Sequence, residues 1–399
     1  MPMLVVTPRV TPDTEAILAA ARAVGWETQR LATWRVPAEL SQRDAVIYGE
    51  PLFAEVVAAP LGVALLEAPS DWLPTLPARY RLRAVQHNTL GFARQYAQET
   101  FIKPADEKCF PAQVYSSGAA LPYDIALPAD IPVLISEPVI WEVEYRCFVA
   151  ERQILTCSPY WRDGALAQAA DGSWPAPPDE VDAALTFART LLADPAVAVP
   201  PAFVLDTGRI LGRGWAVVEA NSAWGAGIYG CDPAQVLRTL LRAVVARDTL
   251  SPADGRWARA LPEIKADVPP TMPQPDEAGL VTLYRPVGAY EWAKIVASGY
   301  RAFPPRLPEQ PIFYPVLNER YASEIARAWN TRDAASGEIG YVTRFRVRAA
   351  FLSAYPVQLA GAAYHQEYWI PAEDLDAFNA AIVGRIEVIA TYQGGEDGG

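Results

Sequence analysis

The sequence predicts a multidomain protein that combines α/β and α+β classes. At 399 residues the chain exceeds what one ordinary hydrophobic core supports, which favours two or three domains. Residues 1–78 alternate short apolar runs with helix signals, residues 79–248 carry longer strand-like runs, and residues 280–392 alternate again. Residues 249–279 hold six prolines with little periodicity, which predicts a linker before the last domain.

The N-terminal part of the chain predicts a small α/β layer with parallel strands. Apolar runs typical of buried strands recur at 3–6, 45–48 and 63–66. Thr11 is a candidate helix N-cap with Pro12 in the first turn, and Gly25 is a candidate stop. The first strand-to-helix turn lacks the glycines that a dinucleotide-binding turn requires, so we expect no Rossmann-type NAD site in this layer.

The central part predicts longer strands and hairpins with few helices. Strand-like runs occur at 100–103, 113–117, 133–137, 141–150 and 153–160. Glu151 and Arg152 predict a tight turn between the last two of these strands. Helices are expected at 180–192 and 233–245.

Two late strands of this central part carry the most informative charge pattern. Asp206 lies near the end of an apolar run, and Glu219 and Asn221 follow two residues apart on the next predicted strand, where alternation places them on one face. Two carboxylates and an amide oxygen suit Mg²⁺ that carries nucleotide phosphates. The structural alternative makes Asp206 and Asn221 turn residues, but a charged Glu219 inside an apolar run needs a partner or a metal.

Earlier strands of the same part add further charged residues. Glu144 and Arg146 share one face of the predicted strand 141–150, a pattern that on its own is equally typical of a solvated face. Lys103 ends an apolar strand, where its ammonium could meet a phosphate. Lys108 follows in a short polar loop, and Glu137 lies in an apolar run just before the charged strand. Together with Lys103, Lys108 and Glu137, the charged pair on this strand favours a nucleotide cleft over a solvated face.

The order of these residues along the chain resembles that of the ATP-grasp superfamily of carboxylate–amine and carboxylate–thiol ligases. The resemblance covers residues 79–248, and the preceding α/β layer is similar to the small domain that usually precedes an ATP-grasp module. It implies ATP and Mg²⁺ as cofactors. It also implies that a substrate carboxylate becomes an acylphosphate, that an amine or similar nucleophile attacks it, and that ADP and phosphate leave.

The resemblance implies nucleotide-binding roles for five residues. Lys103 would contact the α- and β-phosphates, with Lys108 as a second phosphate contact. Glu137 and the backbone at Val139 would line the adenine pocket, and Glu144 would hold the ribose hydroxyls. Many members of the superfamily have a further lysine before the first helix, where this chain offers only arginines.

The resemblance also implies a catalytic centre. Asp206, Glu219 and Asn221 would bind one or two Mg²⁺ ions. Arg146 would face the transferred phosphoryl group and, together with Lys103, stabilise charge that develops during transfer.

Residues 280–392 resemble the ADP-ribosyltransferase-like α+β fold, through Leu-Tyr-Arg-Pro-Val near their start and His-Gln-Glu-Tyr-Trp near their end. The resemblance implies that Arg285 would hold NAD, that Tyr314 would stack on the nicotinamide, and that Glu367 would stabilise the cationic centre as nicotinamide leaves. The family's middle motif is usually Ser-Thr-Ser or a tyrosine, and here Tyr314 precedes a proline. The structural alternatives are that Arg285 pairs with a surface acid and that Glu367 accepts backbone hydrogen bonds beside a core contact of Trp369. For the unit as a whole the alternative is a non-catalytic binding or substrate-presenting module.

Three functions therefore remain open on the sequence. The first is an ATP-dependent ligase whose substrates are a small-molecule or peptide carboxylate and an amine. The second is an NAD-dependent ADP-ribosyltransferase or NAD-binding protein in which the ATP-grasp module is a regulatory or coupled partner. The third is a nucleotide-binding scaffold without turnover.

Bulk properties exclude several other classes. The net charge of −12 argues against broad nucleic-acid binding. Four scattered cysteines and two histidines argue against zinc or disulfide frameworks and fit a reducing cytoplasm. No apolar run is long enough to span a bilayer, so we expect a cytoplasmic protein. The glycine-rich residues 393–399 predict a disordered tail, and the oligomeric state stays open.

Overall fold

The computed structural model describes residues 2–32, 36–41, 43–106, 109–122, 128–261, 273–306, 312–331, 336–359 and 365–393. The described residues divide into two compact units, with residues up to 261 in the first and residues from 273 onward in the second. Each unit has its own hydrophobic core. Of the described residues, none belongs to a helix long and apolar enough to cross a membrane.

The first unit begins with a parallel sheet in the order β2-β1-β3. Its strands are β1 (Met3–Val6), β2 (Glu27–Arg30) and β3 (Ala45–Tyr48). The helices of this layer are α1 (Pro12–Ala23) and α2 (Pro51–Ala58), and β4 (Val63–Leu65) follows them. The Thr11 hydroxyl caps α1 by accepting from the Thr14 amide at 3.1 Å. Gly25 turns the chain with φ 78°, a conformation that favours glycine.

A small antiparallel sheet in the order β5-β8-β6-β7 comes next. Two short helices, α3 (Trp72–Thr75) and α4 (Ala78–Arg81), lead into it. Its strands and its covering helix are β5 (Val85–Thr89), α5 (Leu90–Tyr96), β6 (Thr100–Pro104), β7 (Gln113–Tyr115) and β8 (Pro132–Ser136). Alternation buries Ile102 and Ile135 in the small core beneath α5, so Lys103 projects from the opposite face.

The large antiparallel sheet has the order β11-β10-β9-β12-β13. Its elements are β9 (Trp141–Ala150), β10 (Gln153–Arg162), β11 (Ala165–Leu166), α6 (Pro178–Ala193), β12 (Ala202–Ile210), β13 (Gly214–Asn221) and α7 (Pro233–Ala243). The predicted tight turn joins β9 to β10, and Glu151 and Arg152 both take positive φ there (48° and 60°), the conformation of a two-residue hairpin turn. The register sets Asp206 of β12 opposite Arg146 of β9 and Glu219 of β13.

The N-terminal layer does not form a core of its own. Its apolar residues join those of β9, β12 and α7 in one buried cluster that includes Phe148 and Val204. β14 (Val244–Ala246) pairs antiparallel with β4, so β4 lies outside the parallel sheet. The predicted boundary at residue 78 therefore separates two layers that share a core.

Residues 249–261 differ from the predicted linker. They include α8 (Pro252–Gly255), and Trp257 is buried in a core of the first unit. The Arg259 amide donates to the Leu65 carbonyl at 2.7 Å, and its guanidinium pairs with Glu67 at 2.5 Å. The proline content predicted a linker, but tertiary contacts hold these residues on the first unit.

The second unit is an α+β assembly around the antiparallel sheet β15-β17-β21. Its elements are β15 (Leu280–Gly288), α9 (Ala289–Ala297), β16 (Ile312–Phe313), α10 (Glu319–Ile325), β17 (Ile339–Arg348), α11 (Ala349–Leu352), β18 (Val357–Leu359), β19 (Gln366–Tyr368), β20 (Ile370–Pro371), α12 (Leu375–Ala381) and β21 (Ile382–Gln393). Phe303, Phe313, Phe345 and Phe378 form the centre of its core. β21 runs to Gln393, and residues 394–399 of the predicted tail lie outside the described residues.

Candidate functional site

Five residues predicted from the sequence meet on one face of the large sheet. Arg146, Asp206 and Glu219 lie side by side on β9, β12 and β13, and Asn221 follows on β13. Lys103 reaches this face from β6, and its ammonium forms an ion pair with the Glu219 carboxylate. A cluster of two cations, two carboxylates and one amide is therefore built from four strands.

A buried ion pair lies at the centre of this face. Arg146 donates from Nε to Oδ1 of Asp206 at 3.0 Å and from Nη2 to Oδ2 at 2.7 Å. Its Nη1 donates to the Gly227 carbonyl at 3.0 Å. The guanidinium carbon lies 5.2 Å from the ring centre of Tyr160 and 4.9 Å from that of Tyr229. A guanidinium has five N–H groups, so these bonds hold Arg146 in place and leave two for a ligand.

Asp206, Glu219 and Asn221 form the predicted metal-binding set. The Asn221 amide donates to Oδ2 of Asp206 at 2.9 Å and to Oε1 of Glu219 at 3.0 Å. In the part of the chain that is described, no three acidic, histidine or cysteine side chains form a metal-binding group. Two carboxylates and an amide that can turn its oxygen inward nevertheless match the hard-oxygen preference of Mg²⁺, provided that phosphate or water oxygens complete the coordination.

Neighbouring residues keep the Glu219 carboxylate ionised. Burial alone would raise the pKa of this carboxyl, but Lys103 and the Asn221 amide outweigh burial and lower the pKa to about 2. Glu219 is therefore ionised at neutral pH, as a metal ligand has to be. Lys103 provides the compensating positive charge.

Glu144 lies on the same face, two residues before Arg146. Its Oε2 accepts a hydrogen bond from the Tyr160 hydroxyl. Burial, together with the nearby charges of Asp206 and Glu219, raises the pKa of Glu144 to about 7 against the lowering effect of the tyrosine bond. Glu144 is therefore close to half-protonated at neutral pH.

The residues predicted to surround adenine lie where β8 passes into β9. Glu137 pairs with Arg213 at 2.6 Å and accepts from the Ala84 amide at 3.2 Å. It also lines a cleft of about 770 Å³ that includes residues of α4, β5, β6 and β8. Among the described residues that line this cleft, neither Val139 nor Glu144 occurs. Lys108 lies outside the described residues.

Arg83 is a site residue that the sequence did not single out. Its guanidinium donates to the carbonyls of Val217 at 2.7 Å and Val218 at 3.0 Å, and it lies 4.8 Å from the ring centre of Trp141. Burial lowers its pKa to about 10, although the charge of Glu144 acts to raise it. In the sequence, Arg83 is one of three arginines, with Arg79 and Arg81, that precede the first central helix. Only the tertiary structure distinguishes Arg83 from the other two.

The second unit places the other predicted residues near one another, each with a structural partner. Arg285 donates from Nε to Glu291 at 3.0 Å and from Nη1 to the Tyr314 carbonyl at 3.2 Å. Glu367 accepts from the Trp369 indole at 2.6 Å. Burial raises the pKa of Tyr314 to about 12, and the charge of Glu367 adds to that rise. Arg285 thus pairs with an acid, as its structural alternative expected, whereas the bonds to the Glu367 carboxylate come from the side chains of Trp369 and Tyr321.

Comparison with known proteins identifies the part of the chain that carries the first cluster. Residues 80–239 match a family that is described as an ATP-grasp domain, and thus form an ATP-grasp domain. No curated protein matches the sequence.

Three solved structures illustrate the similarity, which is distant in sequence. One is an ATP-grasp RimK domain protein from Sphaerobacter thermophilus, with 14% identity, coverage of 59% of this chain and 98% of that chain, and a TM-score of 0.41. D-cycloserine synthetase DcsG has 17% identity, coverage of 60% and 99%, and a TM-score of 0.38. D-alanine–D-alanine ligase from Bacillus anthracis complexed with ATP has 14% identity, coverage of 61% and 96%, and a TM-score of 0.36. Similarity at this level carries no argument about substrates.

Proposed function

We propose that the ATP-grasp domain at residues 80–239 makes this protein an ATP-dependent ligase. It would phosphorylate a substrate carboxylate with release of ADP, and an amine or similar nucleophile would then attack the acylphosphate and expel phosphate. The observation that carries the proposal is the meeting of Lys103, Arg146, Asp206, Glu219 and Asn221 on one sheet face inside the family match. The substrate classes would be a small-molecule or peptide carboxylate and an amine.

Asp206, Glu219 and Asn221 would hold Mg²⁺ in this reaction. When bound, the ion neutralises phosphate charge and polarises the group in transfer. In the structure Lys103 forms an ion pair with Glu219. We infer that Lys103 leaves Glu219 for the phosphates when nucleotide binds, so that one cation is replaced by another at the carboxylate.

The nucleotide would extend from the sheet face toward the connection between β8 and β9. Glu144 would accept the ribose hydroxyls, and Glu137 and the Val139 backbone would contact adenine. Arg83 carries a positive charge among the acids of this region. Because the chain has no lysine before its first central helix, Arg83 is the cation that we assign to the nucleotide phosphates there, with Lys108 as a further contact.

Arg146 would stabilise the transferred phosphoryl group. Its bonds to Asp206 and Gly227 fix the guanidinium before substrate arrives. A charge fixed in advance costs little reorganisation during the reaction, which makes it effective for stabilising a transition state. The two remaining N–H groups are the atoms that would contact the phosphoryl oxygens.

The test is ADP formation from Mg-ATP in the presence of a metabolite or peptide extract, with the conjugate identified by mass. Wild-type protein is expected to release ADP and not AMP, and Glu219→Ala is expected to abolish release. Glu142→Ala is the matched control, because Glu142 is a glutamate on β9 of the same sheet whose partner, Arg209 at 2.8 Å, is not one of the cluster residues. An unchanged rate in Glu219→Ala would contradict the assignment, and ATP binding without any product would favour a nucleotide-binding scaffold.

A second proposal concerns the second unit, which would bind NAD and could transfer or release its ADP-ribose. The support is that Arg285, Tyr314 and Glu367 lie near one another in one unit. The test is nicotinamide release from NAD and its loss in Glu367→Gln. If NAD neither raises the melting temperature nor yields nicotinamide, the second unit has no such function.

A further inference from the structure

Tyr160 occupies an irregular position in β10. The antiparallel pairing sets Pro159 opposite Tyr145 and Trp161 opposite Glu144, so Tyr160 is an extra residue between them. Such a bulge redirects a side chain and occurs preferentially beside active sites. Pro159 fits this position because proline inside a sheet is confined to edges and bulges. The bulge therefore accounts for Tyr160 standing over the face that carries Glu144.

The side chain of Tyr160 contacts two charged residues that have different proposed roles. Its hydroxyl donates to Oε2 of Glu144, and its ring lies 5.2 Å from the guanidinium carbon of Arg146. Because a carboxylate has two oxygens, this bond fixes the rotation of Glu144 and leaves Oε1 for another donor. The ring packs against the guanidinium of Arg146, together with the ring of Tyr229.

The Tyr160 ring is itself held by a small aromatic cluster. It stacks on Tyr229 with centroids 5.1 Å apart and planes 17° apart, and Trp174 meets Tyr229 edge-on at 5.4 Å. Tyr229 has φ 49°, which is uncommon for a residue other than glycine. A Cβ on the adjoining Gly230 would lie 2.6 Å from the Trp174 ring. The Tyr229 ring thus packs against Tyr160 from a position with an uncommon backbone conformation, of a kind that occurs often at functional sites.

We propose that Tyr160 is a positioning residue that sets Glu144 for the ribose hydroxyls and Arg146 for the transferred phosphoryl group. This inference rests on the ligase proposed above. The hydroxyl and the ring act separately, because the first reaches Glu144 and the second reaches Arg146. Two variants can therefore divide the effect.

Tyr160→Phe removes the hydroxyl and keeps the ring. Its KM and Kd for Mg-ATP are expected to rise about tenfold, the effect of losing one hydrogen bond to a charged group, while kcat stays within about twofold. Discrimination against 2′-deoxy-ATP and 3′-deoxy-ATP is also expected to shrink, because a freely rotating Glu144 no longer distinguishes the missing hydroxyl. Tyr160→Leu is expected to lower kcat about tenfold in addition, because Arg146 loses the ring.

Tyr145→Phe is the matched control. The Tyr145 hydroxyl also donates to a carboxylate, Glu180, at 2.7 Å, but on the opposite face of the sheet. This variant is expected to lose stability without a change in KM or in discrimination between the nucleotides. If Tyr160→Phe keeps wild-type Kd values for all three nucleotides, or if Tyr145→Phe shifts them equally, the positioning role is refuted.

Direct binding measurements separate this inference from the ligase proposal. Calorimetric Kd values for Mg-ATP and its deoxy analogues require no turnover. If the wild type binds Mg-ATP but never forms ADP, the ligase proposal fails, and the Kd values of Tyr160→Phe still decide whether Tyr160 positions Glu144. If the wild type does not bind Mg-ATP, both are overturned.

Discussion

Replacing Arg146 by methionine should destabilise the first unit strongly. Asp206 is fully buried and takes both of its bonds to a cation from Arg146, which is itself 7% exposed. Arg146→Met would leave that carboxylate buried beside Glu219 without its main compensating charge. Breaking a buried ion pair on one side costs about 3–5 kcal/mol. Replacing both partners costs less, because no uncompensated charge remains, so Arg146→Met with Asp206→Leu should recover a large part of the loss.

Scanning calorimetry of the full chain measures this effect. For a unit of this size about 4 kcal/mol corresponds to a fall in Tm on the order of 10 °C. Phe378→Ala is the control, because Phe378 is buried in the core of the second unit and its loss should shift only the other transition. The two single variants and the double variant form a cycle with an expected coupling of about 1–3 kcal/mol. If the losses of unfolding free energy in the two single variants simply add in the double variant, the ion pair is not the cause of the destabilisation and the reasoning is refuted.

Three further changes test other parts of the first unit. Gly230→Ala should lower the Tm by several degrees, because its Cβ would lie 2.6 Å from the Trp174 ring and overpacking costs about 1–3 kcal/mol. An unchanged Tm would mean that the aromatic cluster accommodates the added methyl group without loss of stability. Burial raises the pKa of Glu144 from 4.5 to about 7, so the folded state binds more protons than the unfolded state between these values and the wild type loses stability as pH rises through them. In urea titrations Glu144→Gln should therefore gain stability relative to wild type from pH 5 to pH 8, and parallel pH curves would contradict this. Cys147 and Cys157 lie opposite each other with sulfurs 2.8 Å apart, so diamide should consume both thiols together, whereas Cys157→Ser should protect the other thiol.

Local alternation was enough to predict the charged face of the large sheet. Glu219 and Asn221 stand two residues apart on one strand, and the strand bounds at 141–150 agree with β9. The resemblance to ATP-grasp proteins, drawn from the order of charged residues, is confirmed for residues 80–239. The NAD roles of Arg285 and Glu367 stay a prediction.

Residues that depend on long-range geometry were not predictable. Tyr160 reaches Glu144 because of a bulge, and nothing in the local sequence fixes where an extra residue enters a ladder. Tyr229 contributes through a loop whose left-handed backbone is stabilised only by contacts from other elements. The proline content also predicted a linker from residue 249 onward. Composition does not reveal that Trp257 is buried or that Arg259 pairs with Glu67.

The bonds of Arg259 determine where the first unit can be separated from the rest of the chain. The Arg259 guanidinium forms ion pairs with Glu67 at 2.5 Å and Glu55 at 2.8 Å. Its backbone amide donates a hydrogen bond to Leu65 at the edge of β4. Burial raises the pKa of Glu67 even with this guanidinium present. A fragment that stopped at residue 248 would therefore expose a strand edge, which invites aggregation, and would remove the cation from two partly buried acids. A fragment that continues to residue 261 keeps both, so the terminus to choose for an isolated first unit lies beyond Arg259.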